Sequence, residues 1–270
     1  MEVSRSGYYD WLNRPRKVKV DVLGQKVKRI FEDSRKTYGS RRIKVRLSAE
    51  GMTVSRQTIR RKMSEMKLVA KARRKTRATT DSKHELPVAP NILGRQFEAR
   101  RPNSVWVTDI TYLATAEGWM YLAVVIDLYS RMVIGWSLDR NMKKELVIDA
   151  LRMAIKRRKP SSGLVCHSDR GSQYCSHAYQ ELLREHGFIC SMSRKGNCLD
   201  NACAETFFHS LKVEWIYGEP TKSRLQMTRH VREYIEVFYN RQRLHSNNGY
   251  LSPWSYEHKG GQEFTFRVSA

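Results

Sequence analysis

The stretch SVWVTDITYLATAEGWMYLAVVIDLYSRMVIGWSL, residues 104–138, decides the fold. It contains three successive runs rich in β-branched and aromatic residues, at 104–113, 119–129 and 130–138. Only short turn-forming segments separate the runs, namely Glu117–Gly118 and the region from Asp127 to Arg131. Runs of this composition joined by tight turns are typical of hairpins, so the stretch predicts an antiparallel meander of three strands.

Downstream of this stretch, helical and strand-like segments alternate. Apolar periodicity predicts helices over 143–157, 174–186, 200–215 and 224–243, and apolar runs predict strands at 164–167 and 188–192. Three consecutive strands followed by alternating helices and strands indicate an α/β fold. We therefore expect a mixed five-stranded sheet flanked by helices, with Trp106, Trp119 and Trp136 in its core.

The charge of the chain is large, positive and unevenly placed. Its 270 residues include 50 Lys and Arg against 27 Asp and Glu, a net charge of +23. Most of the excess lies in residues 1–103. A charge of this size indicates a polyanionic partner, most simply nucleic acid, ahead of an acidic substrate or an anionic membrane. A content of 40% hydrophobic residues excludes a fully disordered basic tail.

The sequence also bears on the location of the protein. The sequence has no apolar run of about 18 residues and no secretory signal, so no membrane association is expected. Five cysteines, an odd number without paired C-x2-C spacing, indicate reduced thiols rather than disulfides or a zinc site. We expect a cytoplasmic, nucleoid-associated protein.

The N-terminal part has the pattern of a helix-turn-helix. After a helical segment near 18–35, Ser40 is expected to cap a short helix that ends before Gly51, and Ser55 to cap a second one. The second helix carries residues suited to base edges and phosphates: Arg56, Gln57, Arg60, Arg61 and Lys62. A small helical bundle with basic solvent-exposed faces is the alternative.

A polar stretch rich in basic residues and proline separates the two parts. Its basic start, which includes Arg73 and Arg74, is expected either to follow DNA phosphates or to be a solvated tether. We expect a helical DNA-binding region at 1–70, this linker at 71–100, a catalytic core at 101–220, and a C-terminal helix and tail at 221–270.

Three acidic residues are candidates for catalysis. Asp109 lies inside an apolar strand, Asp169 follows a strand directly, and Glu205 lies on a helix. If they converge, their oxygens suit a pair of Mg²⁺ ions, with Mn²⁺ as a substitute, for phosphodiester chemistry. An isolated acid in a strand is more often structural. Asp127 is expected to cap a hairpin, and Asp200 to cap the Glu205 helix.

The surroundings of Glu205 suggest DNA contacts. At 100° per residue, Asn201, Glu205 and Lys212 share one stripe of the helix, and the neighbouring face is apolar and should pack on the sheet. The preceding loop carries Arg194 and Lys195. We expect Asn201, Lys212, Arg194 and Lys195 to contact DNA, with a plain connecting loop as the alternative.

Several motifs resemble those of one enzyme family. The segments WVTDITY, HSDRGSQY and GNCLDNACAETFFHSLK surround the three acids, and 35 residues separate Asp169 from Glu205. Lys212 follows Glu205 by seven positions. Together with SRSGYYDW, TYGSRRI, VSRQTIRRKM and YNRQRLHSNNGYLSPWSYE, they resemble insertion-sequence transposases of the OrfB type with a retroviral-integrase-like core.

This resemblance implies an RNase H-like fold and Mg²⁺-dependent DNA transposition. By motif, Asp109, Asp169 and Glu205 are then the metal ligands. The family cuts a strand at the element end and joins the freed 3′-hydroxyl to DNA. Implied partners are the terminal repeats, target DNA, further copies of the chain in the DNA complex, and an upstream-frame helix-turn-helix protein or fusion.

Two other functions remain open at this point. A non-catalytic, repressor-like DNA-binding protein would bind DNA without metal-dependent cleavage. An RNase H-type nuclease would share the acidic residues, but the basic helix-turn-helix is absent from a minimal nuclease. The intact acidic triad favours the transposase.

Overall fold

The computed structural model describes residues 4–13, 21–71, 87–194 and 198–258. The chain divides into two compact units, Met1–Ala70 and Lys71–Ala270. The first unit is helical, and the second is built on a β-sheet. None of the helices in the described ranges has both the length and the apolar composition needed to cross a lipid bilayer.

The described residues of the N-terminal unit form four helices: α1 (Arg5–Asn13), α2 (Val22–Asp33), α3 (Ser40–Ala49) and α4 (Arg56–Glu65). Helices α2, α3 and α4 pack on one another through buried apolar residues: Val27, Ile30, Phe31, Ile43, Leu47, Ile59 and Met63. Gly51, with a φ of 78°, turns the chain between α3 and α4. The predicted helix-turn-helix is therefore present.

Of the two helix caps predicted for this motif, one is confirmed and one is wrong. The Ser55 side chain accepts a hydrogen bond from the Thr58 backbone N–H, which confirms it as the cap of α4. The prediction for Ser40 is wrong, because Ser40 is already helical and Gly39 is the N-cap in an extended conformation. Glycine fits this position without a side-chain hydrogen bond.

The C-terminal unit contains a five-stranded sheet formed by β1 (Val105–Thr115), β2 (Gly118–Asp127), β3 (Val133–Asp139), β4 (Val165–Ser168) and β5 (Ile189–Met192). The strand order is β3-β2-β1-β4-β5. Strands β1, β2 and β3 pair antiparallel, and β4 and β5 extend the sheet in parallel with β1. The predicted meander and the mixed five-stranded sheet are confirmed.

Helices cover both faces of this sheet. The helices in the described part of this unit are α5 (Lys144–Arg158), α6 (Ser172–Cys175), α7 (His177–Glu185), α8 (Ala202–Leu211), α9 (Arg224–Glu233) and α10 (Pro253–His258). Val107 of β1 lies in a core cluster with residues of α8 and α9, whereas its neighbour Trp106 lies in a cluster with residues of α5, α6 and α7. Successive strand residues thus anchor opposite helical layers.

The three tryptophans expected in the core differ in burial. Trp106 is fully buried, as predicted, and Trp136 is partly buried against the core cluster of α8 and α9. Trp119 is 53% exposed, so the prediction of a core position is wrong for this residue. It lies on β2 directly after the β1–β2 turn and opposite Ala114, which is also exposed.

The predicted helices are interrupted more often than apolar periodicity suggests. The segment 174–186 forms α6 and α7, because Ser176 takes an extended conformation and caps α7 by accepting a hydrogen bond from the Tyr179 N–H. A 3-10 turn, Cys198–Asn201, precedes α8. Wider π-helical turns follow α8 over Lys212–Ile216 and α9 over Tyr234–Tyr239.

Of the two acids expected to act as caps, Asp127 does so and Asp200 does not. Asp127 accepts hydrogen bonds from the Tyr129 and Asn103 backbone N–H groups, which confirms its role at the hairpin. Asp200 does not cap α8, whose N-cap is Asn201. The Asp200 carboxylate is instead buried and binds the backbone N–H of Arg194 and the side chains of Asn91 and Arg95.

Candidate active site

Asp109 lies on β1, just past the point where β4 stops pairing with it. Within the described residues, β4 pairs with β1 only over Val105–Val107. Asp109 Oδ1 accepts a hydrogen bond from the Ile110 backbone N–H at 2.8 Å. The open edge of β1 therefore holds a half-buried carboxyl group beside the carboxyl end of β4.

Asp169 follows β4 and is held by a tight turn. Its Oδ1 accepts a hydrogen bond from the Gly171 backbone N–H at 2.9 Å. Val107 is the partner of His167 in the parallel pair. Asp109 lies two residues beyond Val107 on β1, and Asp169 lies one residue past the end of β4. Because paired strands are about 4.8 Å apart, this register brings the two acids near each other, and the charge of Asp169 acts on the Asp109 carboxyl.

Glu205 lies in the first turn of α8 and is exposed. The opposite side of α8 is anchored in the core by Ala204, Phe207, Phe208 and Leu211. The predicted packing of this helix on the sheet is therefore confirmed. A carboxylate in the first turn also interacts favourably with the positive end of the helix dipole.

The electrostatics connect the three acids. Burial raises the pKa of Asp109 well above its usual value, and the charges of Asp169 and Glu205 raise it further. The Ile110 backbone N–H and the positive charge of Lys212 oppose this increase. Desolvation also raises the pKa of the Glu205 carboxyl. The site therefore concentrates negative charge whose mutual repulsion a bound cation would relieve.

The donor atoms suit a hard divalent cation, but the side chains are not yet arranged around one. Carboxylate oxygens are the ligands that Mg²⁺ and Mn²⁺ prefer. Among the described residues, no group of three or more His, Cys, Asp or Glu side chains is arranged to hold a metal ion. Coordination of a metal ion by all three acids therefore requires side chains to move. Glu205 is exposed, so packing restrains its side chain least.

Lys212 and Asn201 lie close to the acids in different environments. Lys212 is half-buried, its Nζ lies 4.6 Å from the centre of the Tyr112 ring, and desolvation lowers its pKa. Asn201 is buried, and its Nδ2 donates to the Thr108 carbonyl oxygen at 3.2 Å. The structure thus places Asn201 behind Asp109, against the strand backbone, rather than on the surface.

The other predicted DNA contacts are spread over both units. On α4, Arg56, Gln57, Arg60 and Arg61 are exposed, whereas Lys62 is half-buried and forms ion pairs with Asp21 and Glu65. Arg194 is exposed beside Asp200. Arg73, Arg74 and Lys195 lie outside the described residues.

Sequence reasoning missed the residues that hold this site together. Asp200 ties the C-terminal part of the predicted linker to the turn before α8 through Asn91 and Arg95. Glu214, two residues after Lys212, forms a buried bidentate ion pair with Arg243. No local pattern indicates these pairs, because their members lie from 29 to 109 positions apart in the sequence.

Family models match both units. A model described as an HTH-like domain matches residues 19–76. A model described as an integrase core domain matches residues 99–198, and a second integrase core domain model matches residues 205–260. Asp109 and Asp169 lie within the first core match, and Glu205 opens the second.

Two full-length relatives identify the family. The chain is 46% identical to transposase InsF for insertion sequence IS3A of Escherichia coli (strain K12), over 96% of this chain and 92% of that protein. The chain belongs to the IS3 family of transposases. This transposase is also 45% identical to the insertion element IS600 uncharacterized 31 kDa protein of Shigella sonnei, over 95% of this chain and 96% of that protein. It is a DNA transposase, an enzyme of the polynucleotidyl transferase class.

A solved structure supports the fold of this transposase. A chain in the cryo-EM structure of the simian T-cell lymphotropic virus intasome in complex with PP2A regulatory subunit B56 gamma matches with a TM-score of 0.50 and 13% identity. The match covers 91% of this chain and 76% of that chain. At this identity the likeness concerns the fold alone, and it agrees with the predicted RNase H-like integrase core.

Proposed function

We propose that this transposase cleaves DNA at the ends of its insertion sequence and joins the freed 3′-hydroxyl to target DNA, with Asp109, Asp169 and Glu205 as the ligands of divalent cations. The observation that carries the proposal is the partly buried Asp109 carboxyl, which experiences the charges of both other acids. Mg²⁺ is the proposed cofactor, and Mn²⁺ its substitute, because both prefer oxygen ligands.

The protein supplies positioning and charge rather than a nucleophile. When bound, a pair of such cations activates the attacking oxygen and stabilises the leaving one. Water or a DNA 3′-hydroxyl is the attacking group, so no Ser, Cys or Tyr side chain is needed. Lys212 would neutralise a phosphate near Asp109, and the effect of its ammonium charge on that carboxyl supports this role.

DNA binding is proposed to extend beyond the catalytic core. The exposed Arg56, Gln57, Arg60 and Arg61 of α4 would contact bases and phosphates, together with Arg73, Arg74, Arg194 and Lys195. Lys62 is a weaker candidate because two carboxylates already neutralise it. For Asn201, burial favours a role in fixing the β1 backbone over a direct DNA contact.

Partners and location follow from the reaction. Transposition brings two element ends together, so we propose a homo-oligomer in the DNA complex. An upstream-frame helix-turn-helix protein or fusion is a further proposed partner for end recognition. A DNA-acting enzyme of this charge would lie in the cytoplasm at the nucleoid.

The proposal is tested with purified protein and DNA carrying the terminal repeats that flank the gene. Strand cleavage and joining should require Mg²⁺ or Mn²⁺. Asp109→Asn, Asp169→Asn and Glu205→Gln should each lower the rate by about 10³-fold or more, since each removes a ligand of cations that supply several kcal/mol of transition-state stabilisation. DNA binding should survive these changes.

Asp149→Asn is the matched control, because Asp149 is an exposed acid on α5. It should cleave like the wild-type protein. Metal-independent cleavage, or full activity of the three site variants, would contradict the proposal. Binding without any cleavage by the wild-type protein would favour the repressor-like alternative.

A further inference from the structure

An exposed aromatic pair lies beside the candidate active site. The rings of Tyr112 and Trp119 meet edge to face, with their centres 5.0 Å apart. Tyr112 is 39% exposed and Trp119 is 53% exposed. They come from adjacent strands of the β1–β2 hairpin, since Tyr112 is the partner of Tyr121, two residues after Trp119. This diagonal pair leaves much of the indole surface open to solvent.

The hairpin that carries the pair is held firmly in place. The Ala116 N–H donates to the Lys222 carbonyl oxygen at 2.9 Å. The Arg224 guanidinium donates to the Glu117 carbonyl oxygen at 2.7 Å, and the Arg224 backbone N–H donates to the Glu117 carboxylate. The turn is thus fixed to the start of α9, so a ligand that stacks on Trp119 meets a pre-organised surface.

Lys212 connects the aromatic pair to the acids. Tyr112 lies three residues beyond Asp109 on β1, roughly 10 Å along the strand at about 3.3 Å per residue. The two side chains leave β1 on opposite faces, but Lys212 reaches both, because this edge of β1 has no strand partner among the described residues. This arrangement suits a nucleotide. The ammonium group can bind its phosphate, and the free aromatic face can stack on its base.

We propose that Tyr112 and Trp119 form a stacking site for an unpaired base of the DNA strand whose backbone passes Lys212 into the active site. The inference rests on the proposed function and names a feature of its substrate: a locally unpaired end. Trp119 is the β2 partner of Ala114, five residues beyond Asp109, so a base stacked on it lies about 16 Å along the strand from that acid, roughly five base steps at 3.4 Å each. The Lys212 ammonium group over the Tyr112 ring favours a nucleotide, which carries a phosphate, over a protein as the occupant.

The test uses the full chain in EDTA and a DNA duplex with a short unpaired end containing 2-aminopurine, whose fluorescence falls when it stacks on an aromatic ring. The wild-type protein should quench the probe. Trp119→Ala and Trp119→Leu should remove the quenching and weaken binding of the unpaired end by roughly five- to hundredfold. Trp119→Phe, which retains an aromatic face, should restore much of both.

Trp254→Ala is the matched control, because Trp254 is 41% exposed and also contacts one aromatic ring, that of His258. It should behave like the wild-type protein. Trp119→Ala should keep the wild-type dependence of affinity on salt, whereas Lys212→Gln should reduce it by about one phosphate contact.

Equal quenching by wild-type protein and Trp119→Ala would overturn the stacking site. So would a change in oligomeric state without a change in quenching, which would instead make the pair a protein interface. The same preparations are assayed for Mg²⁺-dependent cleavage. If the wild-type protein does not cleave, the proposed function fails. If it cleaves and the Trp119 variants still quench, only the stacking inference fails.

Discussion

Single residues show how burial sets the chemistry of this transposase. Asp109 and Asp127 are both acids in apolar strands, and burial raises the pKa of each. They differ in their neighbours. Two backbone N–H groups donate to Asp127 at a hairpin, whereas Asp109 lies among other acids and a lysine. The first environment stabilises a turn, and the second creates a place for cations.

Asp127 provides a test of this electrostatic account at the residue scale. Burial raises its pKa to about 6, from about 4 in the unfolded chain. A raised pKa means that the folded state binds the proton more tightly. The stability contributed by this group is therefore complete below about pH 4 and is lost as the pH rises through about 6, by about 3 kcal/mol in all.

Asp127→Asn removes this titration. The free energy of unfolding, measured by urea denaturation at pH 4 and pH 7, should fall less with pH in the variant than in the wild-type protein. The difference between the two proteins should therefore change by about 3 kcal/mol across this interval. A difference that stays constant with pH would contradict the assigned shift.

At the scale of elements, a buried ion pair holds the π-helical turn that follows α8. The Arg243 guanidinium donates two hydrogen bonds of 2.7 Å to the Glu214 carboxylate and a third to the Ser210 hydroxyl. Both charged residues are less than 9% exposed. Lys212 lies in the same turn, so this pair fixes the backbone that presents Lys212 to the acids.

Removing one partner of this pair should be worse than removing both. Arg243→Met leaves the Glu214 carboxylate buried without its partner and should lower the free energy of unfolding by about 3–5 kcal/mol. The double variant Arg243→Met/Glu214→Leu should recover a large part of that loss. Chemical denaturation of the single and double variants measures this directly. Equal stability of the two variants would show that the Glu214 carboxylate carries no penalty once Arg243 is removed, which would contradict the prediction.

The elements also show what the sequence can predict. The strands of the meander were predictable because β-branched residues, apolar runs and turn residues are all local signals. The break at Ser176 was not, because apolar periodicity continues through it and only the extended backbone reveals the cap. Trp119 was misplaced because an apolar strand pattern does not show that the first residues after a turn lie exposed at the end of the hairpin.

Across the whole molecule, the excess of basic residues and the three candidate acids lie in different parts of the sequence. The acids come from β1, the end of β4 and α8, and no local pattern predicts their proximity. Their joint role as metal ligands stays a prediction from the resemblance to a family, and the relatives confirm the family itself. Lysine and arginine concentrate in residues 1–103, where the helix-turn-helix lies.

This division predicts the salt dependence of DNA binding. The logarithm of the association constant should fall steeply with the logarithm of salt concentration. Arg60→Ala should reduce the slope by about 0.9, the loss of one phosphate contact, because Arg60 is exposed on α4 and forms no ion pair within the described part of the chain.

Lys62→Ala is the comparison, because Asp21 and Glu65 already pair with Lys62. It should change the slope less. Fluorescence anisotropy over a series of salt concentrations gives both values. A larger effect for Lys62 than for Arg60 would place the DNA on a different face of α4.

The proposed reaction depends on the joint binding of divalent cations by Asp109, Asp169 and Glu205. The most direct measurement is anomalous X-ray diffraction from crystals of the protein with DNA and Mn²⁺. We expect anomalous peaks at about 2.0–2.2 Å from oxygens of all three carboxylates, with Glu205 turned towards the two aspartates. Saturating Mn²⁺ with no peak between these side chains, or a peak bound only elsewhere, would contradict the account.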